Sequence, residues 1–143
     1  MVILGVDYGQ ARTGVAACDR EELLAAPVGV IAERDPAALT EKLAALASEK
    51  KAEAFVLGLP RNMDGTEGQR AGDCRTLADA LEALTGLPVV LRDERLTTVR
   101  AHGILNETNT RGKKRKQTVD AVAAVLILEE YLRSRKLRKD GEP

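Results

Sequence analysis

Three observations predict a mixed five-stranded β-sheet with helices on both faces. Residues 2–6, 13–17 and 28–32 are β-prone and separated by glycine-containing or polar turns, the pattern of a three-strand antiparallel meander. Residues 54–57 form a short continuous apolar run and residues 89–92 another β-prone segment, each preceded by a helical pattern. Residues 121–128 are apolar all round, which requires a last helix packed deeply on the sheet. Right-handed crossovers then place the fourth strand beside the first, so two parallel strands extend the meander.

The first strand ends on a carboxylate, Asp7, and turns through Gly9 and Gly14 into the second. A buried ionised group is costly when unpaired, so Asp7 needs an ion pair, hydrogen bonds or a cation. Asp35 and Pro36 read as an N-cap and a first helical position, with Leu39, Leu43 and Leu46 on one face. Gly58-Leu59-Pro60 ends the fourth strand, and Arg61-Asn62-Met63-Asp64-Gly65 is turn chemistry. Thr66 and Gln69 have capping-box spacing at the start of the second helix. Cys74, Leu77, Leu81 and Leu84 mark its buried face, and Gly86 followed by Pro88 stops it. The fifth strand ends on Asp93-Glu94. Thr97 or Thr98 caps a short helix reaching about residue 106; a basic loop follows through Gln117, and Thr118 caps the last helix.

At 143 residues the chain is one domain long, and no repeat or linker divides it. The expected organisation is one domain over residues 1–132 and a basic, flexible tail over 133–143. No apolar run is long enough to span a membrane and no signal-peptide pattern is present, so a cytoplasmic protein is expected. Cys18 and Cys74 have neither zinc-ligand nor disulfide-framework spacing and read as small core residues. The formal charge of zero conceals segregation: ten of the 22 basic residues lie in 111–116 and 133–139, where a polyanion can bind. Aromatic residues are only 2%, too few for a base-stacking platform.

Asp7 and Glu94 end the first and last strands, and Asp120 stands in the first turn of the buried helix; the layout lets all three converge at one end of the sheet. Each has an ordinary structural reading: a turn cap for Asp7, pairing with Arg92 or Arg95 for Glu94, the helix dipole for Asp120. Together they form a cluster that stays ionised only with counter-charge, because carboxylates about 4 Å apart at an effective dielectric near 20 repel by roughly 4 kcal/mol. Oxygen ligands without histidine or cysteine suit Mg²⁺ or Mn²⁺, and two such ions can activate a water and stabilise the leaving oxygen of a phosphodiester. Asp93 is a plausible substitute for Glu94. Arg12, Arg61, Asn62, Arg95, Arg111, Lys113, Lys114, Arg115 and Lys116 are the candidate nucleic-acid contacts. His102, the only histidine, has no acid or serine context, so no Ser-His-Asp or Cys-His arrangement can be assembled.

Four motifs in order, Gly5-Val6-Asp7-Tyr8-Gly9-x-x-Arg12-x-Gly14-Val15-Ala16, Gly58-Leu59-Pro60-x-Asn62-x-x-Gly65, Asp93-Glu94-Arg95-Leu96-Thr97-Thr98 and Val119-Asp120-x-x-Ala123-Ala124-x-x-Ile127-Leu128, resemble the YqgF (RuvX) family over about residues 2–132. The resemblance implies a ribonuclease H-like fold and a Mg²⁺- or Mn²⁺-dependent nuclease, described both as a Holliday-junction resolvase and as a nuclease maturing the 5′ end of pre-16S rRNA. By position, the family's acidic triad falls on Asp7, Glu94 and Asp120. Arg100 departs from the pattern, since these proteins commonly carry an acid there; the triad is unaffected.

Two other classes compete. Asp7-x-Gly9 with Thr13 also resembles the first phosphate loop of actin-like and sugar-kinase ATPases, although those close two related domains over ATP and this chain has the length of one. A non-catalytic nucleic-acid-binding module would use the basic segments alone, and its binding would survive loss of all three acids. A junction resolvase is expected to be a symmetric homodimer, whereas a monomer favours the RNA reading.

Overall fold

The computed structural model describes residues 1–93 and 112–141, with backbone alone for 112–120 and 139–141. Five strands form one sheet: β1 (Ile3–Asp7), β2 (Thr13–Cys18), β3 (Ala25–Ile31), β4 (Ala54–Leu59) and β5 (Val89–Asp93), in the order β3-β2-β1-β4-β5. β1, β2 and β3 are antiparallel neighbours, while β4 runs parallel to both β1 and β5. The meander and the adjacency of the fourth strand to the first are therefore as the sequence predicts.

Strand alternation divides the core into two layers. Leu4, Val6, Val15, Phe55 and Leu57 face α1 (Pro36–Lys50) and α2 (Gln69–Thr85), meeting Leu39, Leu43, Cys74, Leu77 and Leu81. Ile3, Ala16, Cys18, Ala54 and Val56 face α3 (Gly112–Gly141), meeting Ala124, Ile127, Leu128 and Tyr131. Both cysteines are buried as expected. The side chain of Asp35 caps α1 by accepting from the Ala38 N–H, and Gly86 closes α2 in the left-handed region at φ 72°, donating to the Glu82 carbonyl.

Several local expectations fail. The capping box at Thr66 and Gln69 does not form: α2 begins at Gln69 behind Gly68, and the Thr66 hydroxyl is instead held by Asp64 and Asn62. Leu84 is 55% exposed, where it lines an open groove with Ala44, Ala47 and Ser48 of α1. The last helix starts at Gly112 rather than behind Thr118, so Lys113, Lys114, Arg115 and Lys116 stand on its first turns and not in a loop. It also continues through Gly141, so the expected boundary at 132 falls inside an unbroken helix. The short helix expected between residues 97 and 106 lies outside the described residues.

Two contacts fix α3 on the sheet. A Cβ on Gly5 would stand 2.8 Å from Leu128 Cβ and 2.9 Å from the Ala124 carbonyl oxygen, so helix and strand approach as closely as backbone allows. At the other end Glu22 accepts from Arg135 Nε at 2.7 Å and from the Met1 ammonium at 3.1 Å. The Arg135 guanidinium, and behind it the ammonium, hold the Glu22 carboxyl at about 2, below its ordinary 4.5.

Gly5→Ala is expected to destabilise the fold by about 1–3 kcal/mol through overpacking, measured by denaturant unfolding. Because the Glu22 carboxyl is depressed on folding, its contribution is complete above pH 4.5 and is lost as pH falls toward 2. Glu22→Gln should cost about 2 kcal/mol at pH 7 and flatten the stability–pH curve in that window, as chemical denaturation at stepped pH would read.

Candidate active site

β1 delivers Asp7 to the C-terminal end of the sheet, half-buried, after four buried residues. Leu4 and Val6 belong to the α1/α2 layer and Ile3 to the α3 layer, so alternation places Asp7 on the α3 side, in line with Ile3 and Gly5. The helix runs antiparallel to β1: Arg135 reaches Glu22, which also holds the N-terminus, while Ala124 and Leu128 lie over Gly5. One turn before Ala124 on the same stripe is Asp120. Steps of four residues along a helix, about 6 Å, nearly match steps of two along a strand, about 6.6 Å. Leu128 stands on Gly5, so the earlier turns of the helix, Ala124 and then position 120, lead toward and past the end of β1 that carries Asp7.

The turn after Asp7 is rigidly specified. A Cβ on Gly9 would strike the Arg12 carbonyl oxygen, and the Gly9 N–H donates at 3.4 Å to the hydroxyl of the fully buried Thr13. Arg70, in the first turn of α2, donates at 2.6 Å to the Tyr8 carbonyl and ties the turn to that helix. Sequence reasoning passed over Arg70 because a lone arginine at a helix start carries no pattern, and only the crossover of α2 behind β1 gives it this role. Arg12 is half-buried in the same turn. Arg61 and Asn62, both exposed, follow the end of β4; Arg61 lies 3.7 Å from Glu67, and Asn62 closes its turn by donating to the Thr66 hydroxyl.

Of the three candidate acids, Asp7 is the one whose side chain is described; Asp120 is placed by backbone alone and Glu94 lies outside the described residues, as do Arg95 and Arg111. Among the described residues no group of three or more His, Cys, Asp or Glu is arranged to hold a metal. The register bears on Asp93: Leu59 opposes it, and Val89 and Leu91 pack in the α1/α2 layer, so Asp93 is exposed on the face away from Asp7. Among the described residues no helix is long and apolar enough to cross a membrane.

The family model described as RuvX: Holliday junction resolvase matches residues 1–134. The chain belongs to the RuvX family. Its RuvX relatives include a provisionally named pre-16S rRNA nuclease of Agathobacter rectalis, 41% identical over 135 residues that cover 92% of this chain and 94% of the relative. Another, from Halothermothrix orenii and named in the same way, is 40% identical over 132 residues, with 92% and 94% covered. Among solved structures, RuvC of Thermus thermophilus aligns with a TM-score of 0.58 at 15% identity, over 95% of this chain and 96% of that one. The fowlpox virus Holliday junction resolvase aligns at 0.57 and 11%, over 94% and 99%. These likenesses establish the ribonuclease H-like fold. RuvX membership makes the chain a nuclease, which sets aside the nucleotide-binding and non-catalytic alternatives.

Arg70→Met removes the hydrogen bond that ties α2 to the Tyr8 carbonyl in the turn after Asp7. Amide exchange at residues 8–10 of this RuvX chain is expected to accelerate roughly tenfold, with global stability changed by less than about 1 kcal/mol, as native-state hydrogen exchange would report.

Proposed function

We propose that this nuclease hydrolyses phosphodiester bonds in structured nucleic acid with divalent metal held by Asp7, Glu94 and Asp120, and that the precursor of 16S rRNA is its substrate class. The reading is carried by the antiparallel course of α3 along β1, fixed by the Leu128 contact at Gly5, which leads position 120 toward the end of β1 that bears Asp7. Relatives about 40% identical over nearly their whole length and named as pre-16S rRNA nucleases support the substrate. The family model's description supports a second substrate, the four-way DNA junction.

The donor set fits a hard cation. Carboxylate oxygens are the ligands Mg²⁺ and Mn²⁺ prefer, and among the described residues the softer candidates lie elsewhere: Cys18 and Cys74 are buried in the two core layers. Activation of the attacking water and neutralisation of charge on the leaving oxygen are what such ions supply. The chain's own contribution is placement. The Gly9 turn and the Arg70 tie restrain the end of β1 against movement, so Asp7 is held ready and not recruited by the substrate. Lys113, Lys114, Arg115 and Lys116, at the start of the helix that carries Asp120, would meet phosphates flanking the cut, with Arg12 and Arg61 contributing from the neighbouring turns. A cytoplasmic site of action follows from a ribosomal precursor as substrate.

Asp7→Asn and Asp120→Asn should each lower cleavage by more than about a hundredfold with either Mg²⁺ or Mn²⁺ while leaving a folded protein. Side-by-side turnover of a pre-16S rRNA fragment and a four-way DNA junction, with sedimentation of the free protein, checks the substrate. Cleavage of RNA by a monomer is the expected result; symmetric cutting of junctions by a dimer would instead select the second substrate.

A further inference from the structure

The basic run over residues 133–139 takes no part in the reading above, yet the fold gives it a definite shape. A groove of about 420 Å³ lies between the end of β5 and the second half of α3, lined by Arg92, Glu130, Arg133, Ser134, Leu137 and Arg138. Arg92 and Glu130 form its floor as an ion pair joined by two hydrogen bonds, the longer 3.0 Å, so their charges cancel. Arg135, in the same run, is turned away and bound to Glu22. Arg133 and Arg138 are both exposed and, among the described residues, neither has an ion-pair partner. The groove therefore carries two uncompensated guanidinium groups, with a serine hydroxyl between them in sequence.

Their spacing suits a particular kind of anion. Five residues of helix separate Arg133 from Arg138, about 7.5 Å along the axis, comparable to the separation of neighbouring phosphates along one strand. An isolated phosphate would engage one end of such a groove, while a nucleic-acid strand can engage both.

The position relative to Asp7 is also set by register. Val6 opposes Leu57 and Gly58 opposes Arg92, so Arg92 lies on the transverse row of Asp7, two strands away, or about 10 Å. From Glu130 to Arg138 the helix carries the groove about 12 Å further from that end. We propose that this groove holds the sugar–phosphate backbone of the substrate a few nucleotides from the cut bond, through Arg133, Arg138 and Ser134. The proposal rests on the nuclease reading and extends it from the cut site to the length of substrate gripped. Contacts of this kind position the substrate without reading its sequence.

The test uses the full chain carrying Asp7→Asn so that probes stay intact, titrated with a stem-loop RNA and with a four-way DNA junction over a range of salt. Adding Arg133→Gln with Arg138→Gln is expected to weaken binding by on the order of tenfold or more and to reduce the slope of log affinity against log salt by about two. Arg133→Lys with Arg138→Lys should retain most of both. Unchanged affinity and slope in the glutamine variant would overturn the groove while cleavage by the native chain leaves the nuclease reading standing. A native chain that neither binds nor cleaves either probe with Mg²⁺ or Mn²⁺ overturns both.

Discussion

The close contact between Gly5 and the Ala124–Leu128 turn of α3 is the constraint on which the rest of the structure depends. A helix packed on a sheet is normally held off by side chains, and its rotation has some latitude. Here the strand offers no Cβ at the crossing point, and the helix sits where one would be. Backbone contact permits little rotation, so the side of α3 that faces β1 is fixed residue by residue. Asp120 inherits its position from Ala124, one turn away, just as Asp7 inherits its own from Gly5.

Rotation alone does not set a helix; its translation along the sheet must also be fixed. Two polar anchors supply that. Arg92 on β5 grips Glu130, and Glu22 on the hairpin between β2 and β3 grips Arg135 as well as the N-terminus. The anchors lie on opposite flanks of the helix, so sliding would break both. A slip by one residue would move position 120 by about 1.5 Å along the axis and about 100° around it. The contribution of these anchors lies less in net stability than in selecting one register among several of similar apolar burial. The apolar layer gives α3 its affinity for the sheet, whereas the glycine and the ion pairs determine its address.

Much of this was legible from the residues. The apolar run at 54–57, the β-prone meander and the all-round apolar stretch at 121–128 each have one physical explanation, and sheet order follows from crossover handedness. The acid at the end of β1 was legible because a strand otherwise buried does not end on a carboxylate without cause. What escaped was either three-dimensional or decided by competition. Thr66 had the spacing of a capping box, but Asp64 and Asn62 were nearer partners for its hydroxyl. Arg70 and Glu22 act through residues 62 and 113 positions away in sequence, and no local pattern encodes such a pairing. Which of Asp93 and Glu94 points toward Asp7 was ambiguous from adjacency, and register settles it for Asp93 alone, by assigning it to the other face.

The start of α3 shows the deepest disagreement between local preference and observed structure, and it has a physical meaning. A helix N-terminus carries partial positive charge and favours acids, yet α3 opens with Gly112 and then Lys113, Lys114, Arg115 and Lys116, with no acid in its first turn. From the sequence alone these bases read as a loop. Like-charge crowding at the positive end of the dipole costs on the order of a few tenths to 1 kcal/mol for each base, and nothing in the apolar packing of residues 123–132 requires it. A sequence that violates a local rule without gain to the fold normally does so for a partner. Four cations and the helix dipole reinforce one another at this end of α3, and under the proposed function a polyphosphate backbone would convert their mutual repulsion into attraction. The same electrostatics that weaken the helix in isolation would strengthen such a complex.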